Sequence, residues 1–203
     1  MMARFSDIND VINFINNRAL DLGNDIRTAG WSSQESQDLR FDYLCRDFDL
    51  SGKTMLDVGC GKGDLIRYLG DRGVSCFNYF GIDISEQMIN LCQQNINLPN
   101  ATFFHGNIFD REFPELDIAI LSGTLSYKYD QAIENARRTI ERMFAITKEG
   151  IALNFLSTVV DFELEKNQHY NPSVILDWSL ELTRNVTLYH SYPLYEFTVI
   201  LKK

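Results

Sequence analysis

The segment Leu56 to Leu65, LDVGCGKGDL, sets three glycines within five positions, between a short apolar run and a helix-forming one. Bare backbone at that density serves close approach, because missing side chains leave room for a ligand to lie against the main chain. The flanks say which kind of sheet carries it. Thr54 to Val58 is apolar on both faces, the pattern of a strand buried between two helix layers. A glycine turn at the carboxyl end of such a strand, opening a helix, is where open parallel sheets take up ligands.

The rest of the chain repeats this rhythm. Asp7 to Asp21 has apolar residues at helical spacing with Ser6 as cap, and Ser32 with Glu35 forms an S-x-x-E box that predicts a second helix through Phe48. After the first strand, Asp64 to Arg72 reads as helix, Tyr79 to Ile84 as strand, and Ser85 to Asn95 as a helix capped by Ser85. Ala101 to His105 and Leu116 to Ser122 follow as strands, then a helix from about Tyr129 to Phe144 and a strand from Ile151 to Leu156. Pro172 opens a helix through Leu182. Asn185 to His190 and Tyr195 to Leu201 are two β-rich runs too close for a crossover helix, so they pair antiparallel. No linker, repeat or low-complexity tract interrupts residues 1–203. One α/β domain is expected, with residues 1–50 as a helical extension and 51–203 as the core.

Composition narrows the partners. The formal net charge is −9 over 203 residues, which disfavours a protein that grips phosphate backbones, since that needs clustered lysine and arginine. No run approaches the apolar length of a membrane span, and the start, MMARFSDIND, lacks a leader pattern. Cys45, Cys60, Cys76 and Cys92 are too scattered for a zinc site or a disulfide scaffold and read as reduced thiols. The expectation is a cytoplasmic protein that uses neither nucleic acid nor membrane as partner. No His/Asp/Glu cluster has ligand spacing, so no metal is expected.

About 20 residues beyond the glycines, GIDIS places Asp83 at the end of the second strand, where a carboxylate accepts both hydroxyls of a ribose. That pairing specifies a nucleoside. The dinucleotide fingerprint G-x-G-x-x-G would need glycine where Asp64 stands, and an acid there repels a pyrophosphate but tolerates a zwitterionic amino-acid tail. LDVGCGKGDL, GIDIS and GNIFD, in this order, resemble the first motifs of class I S-adenosylmethionine-dependent methyltransferases. The resemblance runs from about Lys53 to the carboxyl terminus, and its Rossmann-like fold implies a mostly parallel seven-stranded sheet with a closing antiparallel hairpin and helices on both faces.

The resemblance implies S-adenosyl-L-methionine as donor and S-adenosyl-L-homocysteine as product. It places the methionine part along Gly59, Cys60, Gly61 and Gly63, with Asp57 fixing the loop. Asp83 takes the ribose, Ile84 and Met88 cover the adenine, Asn107 and the Ile108 amide meet its edge, and Leu121 and Ser122 sit near the sulfonium. Asn107 departs from the aspartate of many relatives, yet an amide oxygen still accepts a hydrogen bond.

The reaction is methyl transfer to a small molecule whose attacking atom (O, N or C) the sequence leaves open, because alignment matters more than any catalytic side chain. Loops beyond strands four and five, Ser122 to Tyr129 and Ser157 to Ser173, are the acceptor candidates. From them come His169 as base, Tyr127 as a second catalytic candidate, and Tyr129 and Tyr170 as pocket walls. Tyr192, Tyr195 and Trp31 are further pocket candidates, Trp31 also being readable as a staple on the second helix. His105 and His190 read as structural. Two other readings stay open: a non-catalytic binder of the same nucleoside, acting as regulator or partner subunit, and a nicotinamide-dependent oxidoreductase, which Asp64 disfavours.

Overall fold

The computed structural model describes residues 5–74 and 78–203; Cys76 and the first four residues lie outside that range. The chain runs α1 (Ile8–Leu22), a 3-10 turn (Ile26–Ala29), α2 (Gln34–Cys45), β1 (Thr54–Val58), α3 (Asp64–Asp71), β2 (Asn78–Asp83), α4 (Glu86–Asn95) and β3 (Ala101–His105). It continues β4 (Leu116–Leu121), α5 (Ala132–Ile146), β5 (Thr147–Leu156), α6 (Pro172–Leu182), β6 (Asn185–Tyr189) and β7 (Glu196–Lys202). The seven strands form one sheet in the order β3-β2-β1-β4-β5-β7-β6. β1 to β5 are mutually parallel, while β7 runs antiparallel to both β5 and β6. The Rossmann-like architecture, hairpin and helical extension read from the sequence are all present.

Three helix starts differ from the reading: α5 begins at Ala132 rather than about Tyr129, and the first two helices are capped by other residues. α1 is capped by Asp7, whose Oδ1 accepts from the Asn9 amide at 2.7 Å and the Asp10 amide at 3.2 Å, while Ser6 N donates to Asp10 Oδ2 at 2.9 Å. The carboxylate reaches the free amides of the first turn, so the helix starts one residue later than a Ser6 cap requires. α2 is capped by Ser33, whose Oγ accepts from the Ser36 amide at 3.2 Å. The Ser32/Glu35 box is therefore out of register by one, and the helix ends at Cys45, short of Phe48.

The sheet separates two apolar layers, because alternate residues of a strand face opposite sides. Met55, Ile118, Ile120 and Ala152 pack with Phe41 and Leu44 of α2 and Leu65, Ile66 and Leu69 of α3. Leu56, Ala119, Leu121, Ile151 and Leu153 pack with Ile140 and Met143 of α5 and Ile175 of α6. Continuous apolar runs in β1, β4 and β5 are thus covered on both faces.

The amino-terminal extension is bolted to the far end of the chain by an ion pair. Arg40 on α2 grips Glu196 at the start of β7, Nε 2.9 Å from both carboxylate oxygens and Nη2 2.5 Å from Oε1, with both side chains buried. Glu196 Oε2 also accepts from Asn154 Nδ2 at 2.8 Å, and Asn154 Oδ1 accepts from the Gly123 amide at 2.7 Å. The Trp31 ring completes the circuit, lying 4.3 Å from the Arg40 guanidinium on one side and against Gly123 on the other.

Two outcomes follow from this packing. Arg40→Met strands Glu196 as an uncompensated buried charge and is expected to cost about 3–5 kcal/mol in urea unfolding, most of it recovered in Arg40→Met/Glu196→Leu. Asp57, inside the sheet and accepting from the Tyr79 hydroxyl, has its pKa raised from 3.8 to about 7, chiefly by burial. A raised acid is easier to ionise in the unfolded chain, so stability falls as pH rises from about 4 to about 7. Asp57→Asn is expected to remove that slope from unfolding curves measured across this range.

Candidate active site

Strand order reverses at β1: the chain leaves it toward β2 and β3 on one side and returns at β4 on the other. The loops after β1 and β4 diverge there and leave a crevice. A cavity occupies it, floored by Asp57 to Gly61, flanked by Asp83 and Ile84 after β2 and by Ser122 to Leu125 after β4. Its roof is α1, which contributes Ile8, Val11, Ile15 and Arg18. Trp31, Gln37 and Phe41 line it from the 3-10 turn to α2, and Tyr127, Tyr129 and Ala132, between β4 and α5, line it with Tyr170.

Each glycine of the loop answers a different neighbour. A β-carbon at Gly59 would stand 1.9 Å from Thr124 Oγ1, whose hydroxyl donates to the Val58 carbonyl at 2.9 Å. Gly59 therefore lets the β4 loop close over β1. A β-carbon at Gly63 would stand 2.1 Å from Ile96 Cδ1, so its bareness serves the packing of α3 on the end of α4, and it does not line the cavity. Only Gly61, at φ 55°, faces open space, and there an added side chain would meet no protein atom within 4 Å. Gly61 is the cradle.

Asp83 holds that cradle in place. Its Oδ2 accepts from the Gly61 amide at 2.9 Å and its Oδ1 from the Ser85 amide at 2.8 Å. Burial raises its pKa, opposed by those two amides and by the nearby charges of His105 and Arg18. Each carboxylate oxygen retains a further lone pair, so the group can still accept two hydroxyls. Behind the loop, Asp64 is already engaged by Gln37 Nε2 at 3.0 Å, Lys62 Nζ at 2.6 Å and Arg67. Burial pulls the Lys62 pKa down to about 8. The cavity near Asp64 therefore combines donors with an acid whose charge is met, a setting that suits the charged groups of a zwitterion.

Of the residues predicted for the donor, Asp57, Gly59, Cys60, Gly61, Asp83, Ile84, Met88, Asn107, Ile108 and Ser122 line the cavity, whereas Gly63 and Leu121 do not. Leu121 is buried in the sheet. Of the pocket candidates, Trp31, Tyr127, Tyr129 and Tyr170 line it. Tyr192 is stacked on Tyr43 at 4.1 Å with its hydroxyl 3.0 Å from Thr198 Oγ1, and Tyr195 is 59% exposed against Phe162. His169 also lies off the lining: its Nδ1 is 2.7 Å from the Ser157 carbonyl, and its Nε2 is buried without a partner. Whether the amino-terminal helices cover the cavity is a question the sequence leaves open, although Ile8, Val11 and Ile15 repeat at helical spacing and mark one apolar face.

A family model described as a methyltransferase domain matches residues 55–150. A Mycobacterium tuberculosis protein named as a methyltransferase is 28% identical over 155 residues, 72% of this chain and 91% of that protein. The fatty-acid O-methyltransferase of Mycolicibacterium smegmatis is 34% identical over 82 residues, covering 40% of this chain and 30% of that one. Among solved structures, magnesium protoporphyrin IX methyltransferase from Synechocystis, crystallised with S-adenosylhomocysteine, superposes with a TM-score of 0.70 at 18% identity, covering 97% of this chain and 100% of that one. That last likeness speaks for the fold, and the fold agrees with the family match at the glycine loop. Residues 55–150 are a methyltransferase domain by that match, and the fold of the chain is that of S-adenosylmethionine-dependent methyltransferases of known structure.

Proposed function

We propose that this protein transfers a methyl group from S-adenosylmethionine to a small-molecule acceptor, with the whole chain acting as one domain. What carries the reading is the pair formed by Gly61, the one loop glycine that faces open space, and Asp83, which points across the same cavity with lone pairs to spare. Asp83 receives the two ribose hydroxyls. Ile84 and Met88 cover the adenine, and Asn107, whose Oδ1 also accepts from the Phe109 amide at 3.1 Å, meets its edge beside Ile108. Gln37, which lines the cavity beside Asp64, addresses the carboxylate of the amino-acid tail.

The donor supplies a methyl carbon activated by its sulfonium. The protein aligns the acceptor with that carbon and keeps water out, which alone can lower a barrier by several kcal/mol. Ile8, Val11 and Ile15 of α1 and the Trp31 ring provide the dry cover. Three free thiols among the described residues, Cys45, Cys60 and Cys92, fit a reducing, cytoplasmic setting, and the acidic balance favours a metabolite over nucleic acid as acceptor.

Titration calorimetry tests the assignment: S-adenosylhomocysteine should bind and NAD should give no heat, and the opposite pattern would overturn it. Asp83→Asn, which keeps the shape and removes the charge, should weaken S-adenosylhomocysteine binding by about 1–3 kcal/mol. His169→Ala is expected to leave turnover per folded molecule unchanged, because its ring faces the Ser157 carbonyl rather than the cavity.

A further inference from the structure

The end of the cavity beside the segment that joins β4 to α5 has a distinct chemistry. It is lined by Leu125, Tyr127, Tyr129, Ala132, Asn135 and Tyr170, and among the described residues no aspartate, glutamate, lysine or histidine lines it. The three acids of the cavity, Asp57, Asp64 and Asp83, belong to β1, the start of α3 and β2. A base that could take a proton from an amine, alcohol or phenol is therefore missing at this end.

Its hydrogen bonds leave donors. Asn135 Nδ2 donates to the Tyr129 hydroxyl at 2.9 Å, so the phenolic proton of Tyr129 is left for another acceptor. Tyr170 donates its own to the Leu125 carbonyl at 3.1 Å. The Tyr127 hydroxyl has no hydrogen-bond partner among the described residues. Burial raises the pKa values of Tyr129 and Tyr170, so at neutral pH both remain donors.

Positive charge surrounds the Tyr127 edge. Phe14 of α1 meets Tyr127 at 5.9 Å between ring centroids, and two cations face the Phe14 ring: the Arg18 guanidinium at 5.2 Å and the Lys166 ammonium at 5.7 Å. Lys128, next to Tyr127 in sequence, donates its backbone amide to the Lys166 carbonyl at 2.9 Å and so ties the two segments together. Among the described residues neither Arg18 nor Lys166 has an acid within salt-bridge distance, although the Arg18 charge also acts on Asp83, and Arg18 Nε is buried without a partner. Glu165 and Asp130 flank this group in sequence. In a chain of net charge −9, two cations without a salt bridge beside the ring that Tyr127 packs on favour the approach of an anion.

We propose that the acceptor is a carboxylic acid with an apolar body, methylated on oxygen as its carboxylate. This rests on the methyltransferase reading above. Arg18 and Lys166 attract the anion, Leu125, Ala132 and the tyrosine rings take its apolar body, and the Tyr129 and Tyr127 hydroxyls hold one carboxylate oxygen while the other attacks. A carbon–oxygen bond forms as the carbon–sulfur bond breaks, and that bonding pair stays on sulfur. A carboxylate and a sulfonium become a neutral methyl ester and a thioether. No proton moves, which matches a chamber without a base, and a reaction that annihilates charge gains from the dry walls.

The test compares acceptors that share one body: 3-phenylpropionate and octanoate against their alcohols and amines and a matching phenol, with methyl-labelled donor. The expected products are the two methyl esters, with a rate flat from about pH 6 to about pH 9, because a carboxyl group with a pKa near 4–5 is ionised throughout. Binding supplies a readout independent of turnover. 3-Phenylpropionate titrated into the S-adenosylhomocysteine-loaded protein should bind about fivefold more weakly to Lys166→Glu, while Lys166→Arg restores the affinity. Tyr129→Phe should lower kcat/KM for the acids by about tenfold. Methylation of the alcohols, phenol or amines instead, ester formation from neither acid, a rate that climbs with pH, or an unchanged affinity in Lys166→Glu would each overturn the proposal. Retained binding of S-adenosylhomocysteine in those cases leaves the methyltransferase assignment standing, and its loss removes both.

Discussion

One carboxylate sets the geometry at the carboxyl edge of the sheet. Asp83 draws the Gly61 amide with one oxygen and the Ser85 amide with the other, so the loop after β1 and the start of α4 are locked to the end of β2 by a single side chain. Buried charge is costly unless it is met by donors, and here the donors are main chain. The arrangement leaves the remaining lone pairs facing the cavity. Gly59 then lets Thr124 lean over β1, and the two divergent loops stay far enough apart to hold a ligand.

The amino-terminal extension is held by equally specific means. Arg40, Glu196, Asn154, Gly123 and Trp31 form a closed chain of contacts that links α2, β7, β5 and the loop after β4. Its members come from positions 31 to 196, and it fixes Trp31 at the cavity wall. α1 is attached differently, by polar contacts to α4: Ser85 Oγ donates to Asn16 Oδ1 at 2.7 Å, and Asn24 and Asn95 exchange amide hydrogen bonds at 3.1 and 2.8 Å.

Much of this was legible because short-range signals were sufficient. Strand alternation, the glycine loop, Asp83 and the Ser85 cap all act within a few residues of themselves, and the structure places them as read. The helix caps slipped by one because Asp7 competes with Ser6, and Ser33 with Ser32, for the same free amides; in both cases the residue nearer the first turn wins. Gly63 reads like Gly61 in sequence, yet it faces Ile96, a contact 33 positions away that no local pattern carries. His169, Tyr192 and Tyr195 were assigned by residue type, and long-range partners, the Ser157 carbonyl, Tyr43 and Phe162, turn them elsewhere.

The apolar stripe of α1 faces the cavity, while its polar residues meet α4. A bound molecule consequently completes the hydrophobic contacts of that helix from below, acting as the missing part of its core. Occupancy and the docking of α1 therefore draw on the same free energy, so each round of product release must loosen that helix.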